Sequence, residues 1–186
     1  MTHRSKQKNP TAVLVLQDES FFFGYGLGVP QKKALGEICF NTSMTGYQEA
    51  LTDPSYAGQI VTFTFPHIGN VGCNPEDLET DGAAARGLII REDITNPSNW
   101  RSAEHFNDWL VKQGMVGICG IDTRALTRHI RDKGAPNGVL YFSPDGEFDL
   151  DDLKKEAKAW PGLKGMDLAA DVTCKAPYEW DKTCWT

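Results

Sequence analysis

Residues 40–70 read FNTSMTGYQEALTDPSYAGQIVTFTFPHIGN, and the succession of signals within them decides the fold. Thr45 to Leu51 (TGYQEAL) can form a short helix. Thr52, Asp53 and Pro54 close it, because the residue before a proline is pushed out of the α region. Tyr56 to Phe65 then carries QIVTFTF, whose β-branched and aromatic side chains predict a strong strand. The strand runs into PHIGNVGCNPEDLETDG, Pro66 to Gly82, a polar stretch full of turn formers. That is more loop than a compact scaffold needs, and loops of this length are often functional.

Upstream, Thr11 to Gln17 is rich in Val and Leu, Asp18, Glu19 and Ser20 interrupt it, and Ser20 to Tyr25 resumes with three phenylalanines. This pattern predicts a β-hairpin with a short polar turn. A glycine-spaced stretch, GYGLGVPQKKALG, leads into a third strand at Glu37 to Phe40. Gly24, Gly26 and Gly28 do not stand between a strand and a helix with a fitting acidic residue beyond, which weighs against a phosphate-binding loop.

Downstream, Gly87 to Arg91 (GLIIR) is a short apolar strand, and Ser102 to Gln113 a helix with Phe106, Trp109 and Leu110 at helical spacing. Met115 to Ile121 (MVGICGI) is a buried strand. Asp122 then caps a helix over Thr123 to Lys133, with Ile121 and Leu126 placed as a hydrophobic staple and Gly134 as the stop. A last helix begins at Asp149 and runs through Ala157 until Trp160, Pro161 and Gly162 break it. Strands come first as a mostly antiparallel set and then alternate with helices. The fold class is therefore α/β, with a mixed sheet or two sheets and helices on one side.

A length of 186 residues fits one domain with a tail. Residues 1–10 are a polar tail, and 171–186 an extended segment in which Pro177, Trp180 and Trp185 expect something to pack against. A net charge of −6 and a pI near 5.2 disfavour a nucleic-acid partner, since polyanion binding draws on clustered Lys and Arg. No apolar run reaches the roughly 18 to 20 residues of a membrane span. Cys39, Cys73, Cys119, Cys174 and Cys184 form no regular framework, which fits reduced thiols in a cytoplasmic protein.

The residues that could carry catalysis do not assemble into a pattern. His3, His67, His105 and His129 lack metal-ligand spacing, so no metal site is predicted. His105 and His129 fall on predicted helices, and His67 sits in a Pro-His-Ile-Gly-Asn turn directly after the strong strand. No cysteine has the glycine-flanked, sharply bent surroundings that present a nucleophilic thiol. Asp149, Asp151 and Asp152 are explained by a helix N-terminus, where negative charge meets the helix dipole.

Two features stay open. Arg124, Arg128 and Arg131 share one broad helix face with Lys133 nearby, which is either a solvated basic face or a docking face for an acidic partner surface. In TDPSY, Asp53 and Pro54 are preferred in the first two positions of a type I turn, and Ser55 comes third with its hydroxyl at the tip. That serine is either a turn residue or a contact for a zwitterionic ligand.

The segment from Phe40 to Asn70 resembles the hallmark segment of the carbamoyl phosphate synthetase small subunit. The resemblance continues through GIDTRALTRHIRDKGAPNG, Gly120 to Gly138, and AWPGLKGMDLAADV, Ala159 to Val172. It implies a three-layer β/β/α swivelling domain over residues 11–170, the N-terminal half of a subunit whose second domain is a class I glutamine amidotransferase. It further implies that the nucleophilic cysteine and its partners lie on that second domain, so that no catalytic residue falls in this chain and these 186 residues alone are inactive. Ser55 corresponds to the family's glutamine-binding serine. The implied partners are glutamine, the amidotransferase domain beyond Thr186 and the large subunit, which uses ATP and a divalent metal to make carbamoyl phosphate for arginine and pyrimidine synthesis. The alternative is a free-standing binding module, and the reading frame past Thr186 separates the two.

Overall fold

The computed structural model describes residues 9–174 together with Ala176, Pro177 and Glu179. His3, Trp180, Cys184 and Trp185, along with most of the polar tail, lie outside the described residues. The first apolar run becomes β1 (Ala12–Leu16), and all five of its residues are buried. Alternation explains how both faces are covered. Ala12, Leu14 and Leu16 join one apolar cluster, whereas Val13 and Val15 join another.

The hairpin partner is β2 (Phe21–Gly28), antiparallel to β1 with Val13 opposite Phe23. Their turn is tied by the Ser20 amide, which donates to Asp18 Oδ1 at 3.1 Å. The sequence reads the glycine-spaced stretch from Gly24 to Gly36 as leading into a third strand at Glu37, and the structure corrects this. Strand β2 continues through Gly28 and β3 (Lys32–Asn41) starts four residues later. Gly24 and Gly26 are spent on close packing: a Cβ at Gly24 would sit 2.2 Å from the Cys119 carbonyl oxygen, and one at Gly26 2.1 Å from the Phe142 ring.

The remaining strands are β4 (Gln59–Phe63), β5 (Gly87–Ile89), β6 (Val116–Cys119) and β7 (Asn137–Phe142). The seven close into one barrel in the order β1-β2-β6-β5-β4-β3-β7. Pairs β3/β4, β4/β5 and β5/β6 are parallel, and the other four are antiparallel. The fold is thus α/β with one sheet of mixed direction. Strand β7 has no counterpart in the sequence reading. Its NGVLYF run is short and follows a helix stop, yet it pairs with both β1 and β3 and completes the closure.

Among the described residues, five α-helices pack against the strands: α1 (Tyr47–Thr52), α2 (Phe106–Lys112), α3 (Thr123–Lys133), α4 (Leu150–Ala159) and α5 (Leu168–Val172). Leu126 and Ile130 of α3 enter the same cluster as Leu14, Ile38, Ile60, Ile89 and Ile118. Leu153 and Ala157 of α4 cover Val13, Val15 and Val139. Phe106, Trp109 and Leu110 of α2 and Tyr47 and Leu51 of α1 pack with Val61, Phe63 and Leu88 in a third cluster. Burying one such aliphatic side chain contributes about 1.5–3 kcal/mol, so these three clusters dominate the stability. Asp122, Asp149 and Asp167 cap α3, α4 and α5 by accepting from backbone amides.

Boundaries differ where local chemistry intervenes. Gly46, at φ 78, postpones the start of α1 to Tyr47. His105 lies outside α2 and caps it, accepting from the Asn107 amide through Nδ1 at 3.2 Å. Asp171 and Val172, expected to begin an extended segment, instead close α5.

Candidate functional site

Ser55 stands at the entrance to β4. The Tyr56 amide donates to the Asp53 carbonyl at 3.0 Å, and the Ala57 amide to that of Pro54 at 3.0 Å, so Pro54–Tyr56 forms a single 3-10 turn. Asp53 Oδ1 accepts from the Ser55 amide at 2.8 Å and locks the turn from its N-terminal side. Asn41, at the end of β3, donates from Nδ2 to the Tyr56 hydroxyl at 3.0 Å. The turn is therefore held on both flanks. Ser55 itself is exposed, and among the described residues its hydroxyl makes no hydrogen bond. A fixed backbone with an unspent donor and acceptor suits a ligand contact.

Behind this turn, the long loop after β4 is fastened to α1. The Tyr47 hydroxyl donates to the Gly72 carbonyl at 2.6 Å, and burial pushes its pKa up. Gln48, almost fully buried, clasps Asn74 with both ends of its amide: Nε2 donates to the Asn74 carbonyl at 2.7 Å and Oε1 accepts from its amide at 3.0 Å. Between α1 and the loop lies a cleft of about 250 Å³ lined by Gln48, Glu49, Asn74, Asp77 and Arg101. Burial raises the Glu49 pKa, aided by the carboxylates of Asp77 and Glu79. This cleft has no sequence signal, because its polar residues come from three segments that only the fold brings together.

Three of the thiols are unsuited to nucleophilic attack. Burial, reinforced by nearby carboxylates, pushes Cys39, Cys73 and Cys119 up to about 12. Cys39 Sγ donates to the Ile60 carbonyl and Cys119 Sγ to Asp93 Oδ1, and among the described residues none of the three bonds to a histidine. Cys174 is exposed. His67 is exposed beside the Phe65 ring, and His129 lies 3.2 Å from Asp18 Oδ2. Among the described residues, no three His, Cys, Asp or Glu side chains converge as a metal site would require. No described helix is long and apolar enough to cross a membrane.

The basic face of α3 is modified by the fold. Lys133 turns away to Asp18, 3.0 Å distant, while Arg91, from the end of β5, joins Arg124, Arg128 and Arg131 around an open hollow of about 430 Å³. Arg91 stands more than thirty positions from the helix in sequence, so no periodicity could have revealed it.

A family model described as carbamoyl-phosphate synthase small chain, CPSase domain, matches residues 14–140. The chain belongs to the carbamoyl-phosphate synthase small chain family. It is 57% identical over 95% of its length to the carbamoyl phosphate synthase small chain of Bradyrhizobium diazoefficiens, and it covers 45% of that relative. The corresponding protein of Mesorhizobium japonicum is 56% identical over 100% of this chain and 47% of its own. For Agrobacterium fabrum the figures are 54%, 96% and 45%. The chain therefore spans about half the length of the curated family members it matches. Among solved structures, an aminopeptidase from Aneurinibacillus sp. strain AM-1 aligns at 16% identity and a TM-score of 0.38 over 74% of this chain and 32% of its own, too faint a likeness to bear on function.

Proposed function

We propose that this domain is the non-hydrolytic, N-terminal half of a glutamine-dependent carbamoyl phosphate synthetase small subunit. It scaffolds an amidotransferase domain, docks on the large subunit and lends one contact to glutamine through Ser55. The observation that carries this is the family match over residues 14–140 in a chain spanning about half of its relatives. The buried thiols of Cys73 and Cys119 and the half-buried thiol of Cys39, all pushed up to about 12, support it, because glutamine hydrolysis through a thioester needs an accessible thiolate at neutral pH.

The carboxyl-terminal part of the domain packs at the same end as Ser55. A Cβ at Gly58 would lie 2.5 Å from Leu163 Cδ2 and 3.8 Å from Leu168 Cδ2, so α5 and its approach sit three residues along from the serine. A domain following α5 would meet the turn there, and most of the glutamine pocket would belong to it. The family's three-layer β/β/α swivelling arrangement over residues 11–170 belongs to the same proposal, and the sheet of mixed direction with helices packed outside it is what supports it. ATP and a divalent metal act on the large subunit in this reading, in the cytoplasm, and the carbamoyl phosphate formed serves arginine and pyrimidine synthesis.

The test is Ser55→Ala in the full-length small subunit paired with the large one. A buried ligand group left without its partner costs about 1–3 kcal/mol, so glutamine use should weaken by about 5- to 150-fold. Synthesis driven by added ammonia should be unchanged, since it bypasses the glutamine contact. An unaltered KM for glutamine would return Ser55 to a purely structural turn.

A further inference from the structure

Outside the α3 face, six described cations, Lys33, Arg101, Lys112, Lys133, Lys154 and Lys158, pair with carboxylates. Lys33 meets Asp152 at 3.6 Å and Glu156, Arg101 meets Glu76 at 3.1 Å and Asp77 at 2.8 Å, and Lys112 meets Glu104 at 2.6 Å. The hollow at the carboxyl ends of β4 and β5 instead gathers several cations on one lining with no carboxylate among them. Four exposed arginines, Arg91, Arg124, Arg128 and Arg131, line it together with Thr64, Pro66, Thr123 and Thr127, and no carboxylate does. Arg91 and Arg131 reach only their chain neighbours Glu92, at 3.5 Å, and Asp132, at 3.6 Å, in exposed pairs of little energy. Arg124 and Arg128 have no ion pair among the described residues. In a chain with 25 acidic and 19 basic residues, a concave surface of one sign is a concentration that folding alone does not call for.

We infer that this hollow receives an acidic surface of the large subunit. The inference rests on the docking role proposed above and names the surface responsible. Charge complementarity selects the partner's sign, and the planar, forked guanidinium groups suit carboxylates taken two oxygens at a time. Exposure selects its size. A small anion in so open a hollow would keep its water and gain little, whereas an extended protein surface covers all four side chains and lowers the dielectric around each pair. Position agrees as well. Thr64 follows β4 and Ser55 precedes it, so the two contacts lie at opposite ends of one strand and need not compete for space.

The experiment measures the affinity of the full-length small subunit for the large subunit at several ionic strengths, for wild type, Arg124→Glu/Arg128→Glu and the milder Arg124→Gln/Arg128→Gln. Lys155→Glu, an exposed reversal on α4, serves as the charge control. The double reversal should weaken Kd by at least about tenfold and flatten its salt dependence, with the glutamine pair intermediate and the control unchanged. Both altered side chains are exposed, and circular dichroism shows whether each variant is folded. Wild-type affinity and salt dependence in the folded double reversal would overturn the inference while leaving the proposed function standing. So would saturable binding of inorganic phosphate that the reversal abolishes without touching the complex. Failure of the wild-type subunit to bind the large one would refute the proposed function and this inference with it.

Discussion

Gln48 gives the sharpest way to test how the long loop is held. Replacing it with alanine removes two hydrogen bonds at once, 2.7 Å and 3.0 Å long, and strands the amide and carbonyl of Asn74. Each bond contributes about 1 kcal/mol net, and the orphaned groups add up to about 1 kcal/mol because the Asn74 side of the contact is only partly buried. Gln48→Ala should therefore lower the unfolding free energy by about 2–3 kcal/mol, read as a shifted urea midpoint at constant slope. Gln48→Glu isolates the electrostatics. One carboxylate oxygen can still accept from the Asn74 amide, but the other now faces the Asn74 carbonyl, where a donor stood. Protonation restores that donor, so the folded pKa of the new glutamate must rise above its ordinary value. The damage should be smallest below the ordinary glutamate range and grow as pH rises through it, levelling off above the raised value. A loss under about 0.5 kcal/mol in the alanine variant, or a glutamate variant whose deficit ignores pH, would refute the clasp.

Two further outcomes follow from ionisation. Asp18 is pushed up by burial, but hydrogen bonds from Ser20 and Lys133 and the charge of His129 outweigh this and hold it at about 2, below its ordinary 3.8. Its contribution is present above the ordinary carboxylate range and disappears as pH falls through about 2. With the side chain 31% exposed, solvent screening reduces that contribution to about 1 kcal/mol, and acid titration of Asp18→Asn should lack this share of the wild-type loss. Cys39, Cys73 and Cys119 should resist iodoacetamide at pH 8 until urea unfolds the chain, and the domain alone should hydrolyse no glutamine. Rapid modification of any of the three in the native state would contradict the buried-thiol account.

Elements whose signals are local were legible in the sequence. Helix α3 has a cap, a staple and a glycine stop, and it appears over Thr123–Lys133 as its residues dictate. The hairpin of β1 and β2 and the turn at Ser55 were equally readable, since Asp18, Asp53 and Pro54 act within two or three positions of themselves. Strand β7 was not, because NGVLYF is a strand chiefly through its partners: Val139 pairs with Val15 on one side and Leu35 on the other. The glycine-spaced stretch misled for the same reason. Gly24 and Gly26 look like loop residues until Cys119 and Phe142 arrive from distant strands and leave no room for a Cβ. At the site, the turn could be found and its role could not. Periodicity exposed three of the four arginines around the hollow, but Arg91 reaches it only through the β4/β5 pairing.

Under the proposed function, the placement of these features on β4 explains how a domain that contributes one glutamine contact and one docking surface would influence glutamine use. Ile60, Val61 and Thr62 are paired on both sides, to β3 and to β5, Gln59 and Phe63 are paired to β3, and Ile60 to Phe63 are fully or almost fully buried. A strand fixed in this way spans about 16 Å and cannot change length without breaking two ladders. Ser55 before it and Thr64 after it are consequently held at a set separation, whatever binds at either end. A partner seated on the arginine hollow and a glutamine held at the serine would each find the other end already positioned. In the proposed function the strand thereby sets the distance between the glutamine contact and the docking surface, with α1 and the clasped loop packed against it. Such bracing acts through preorganisation, which lowers the ordering cost of assembly without a change in shape.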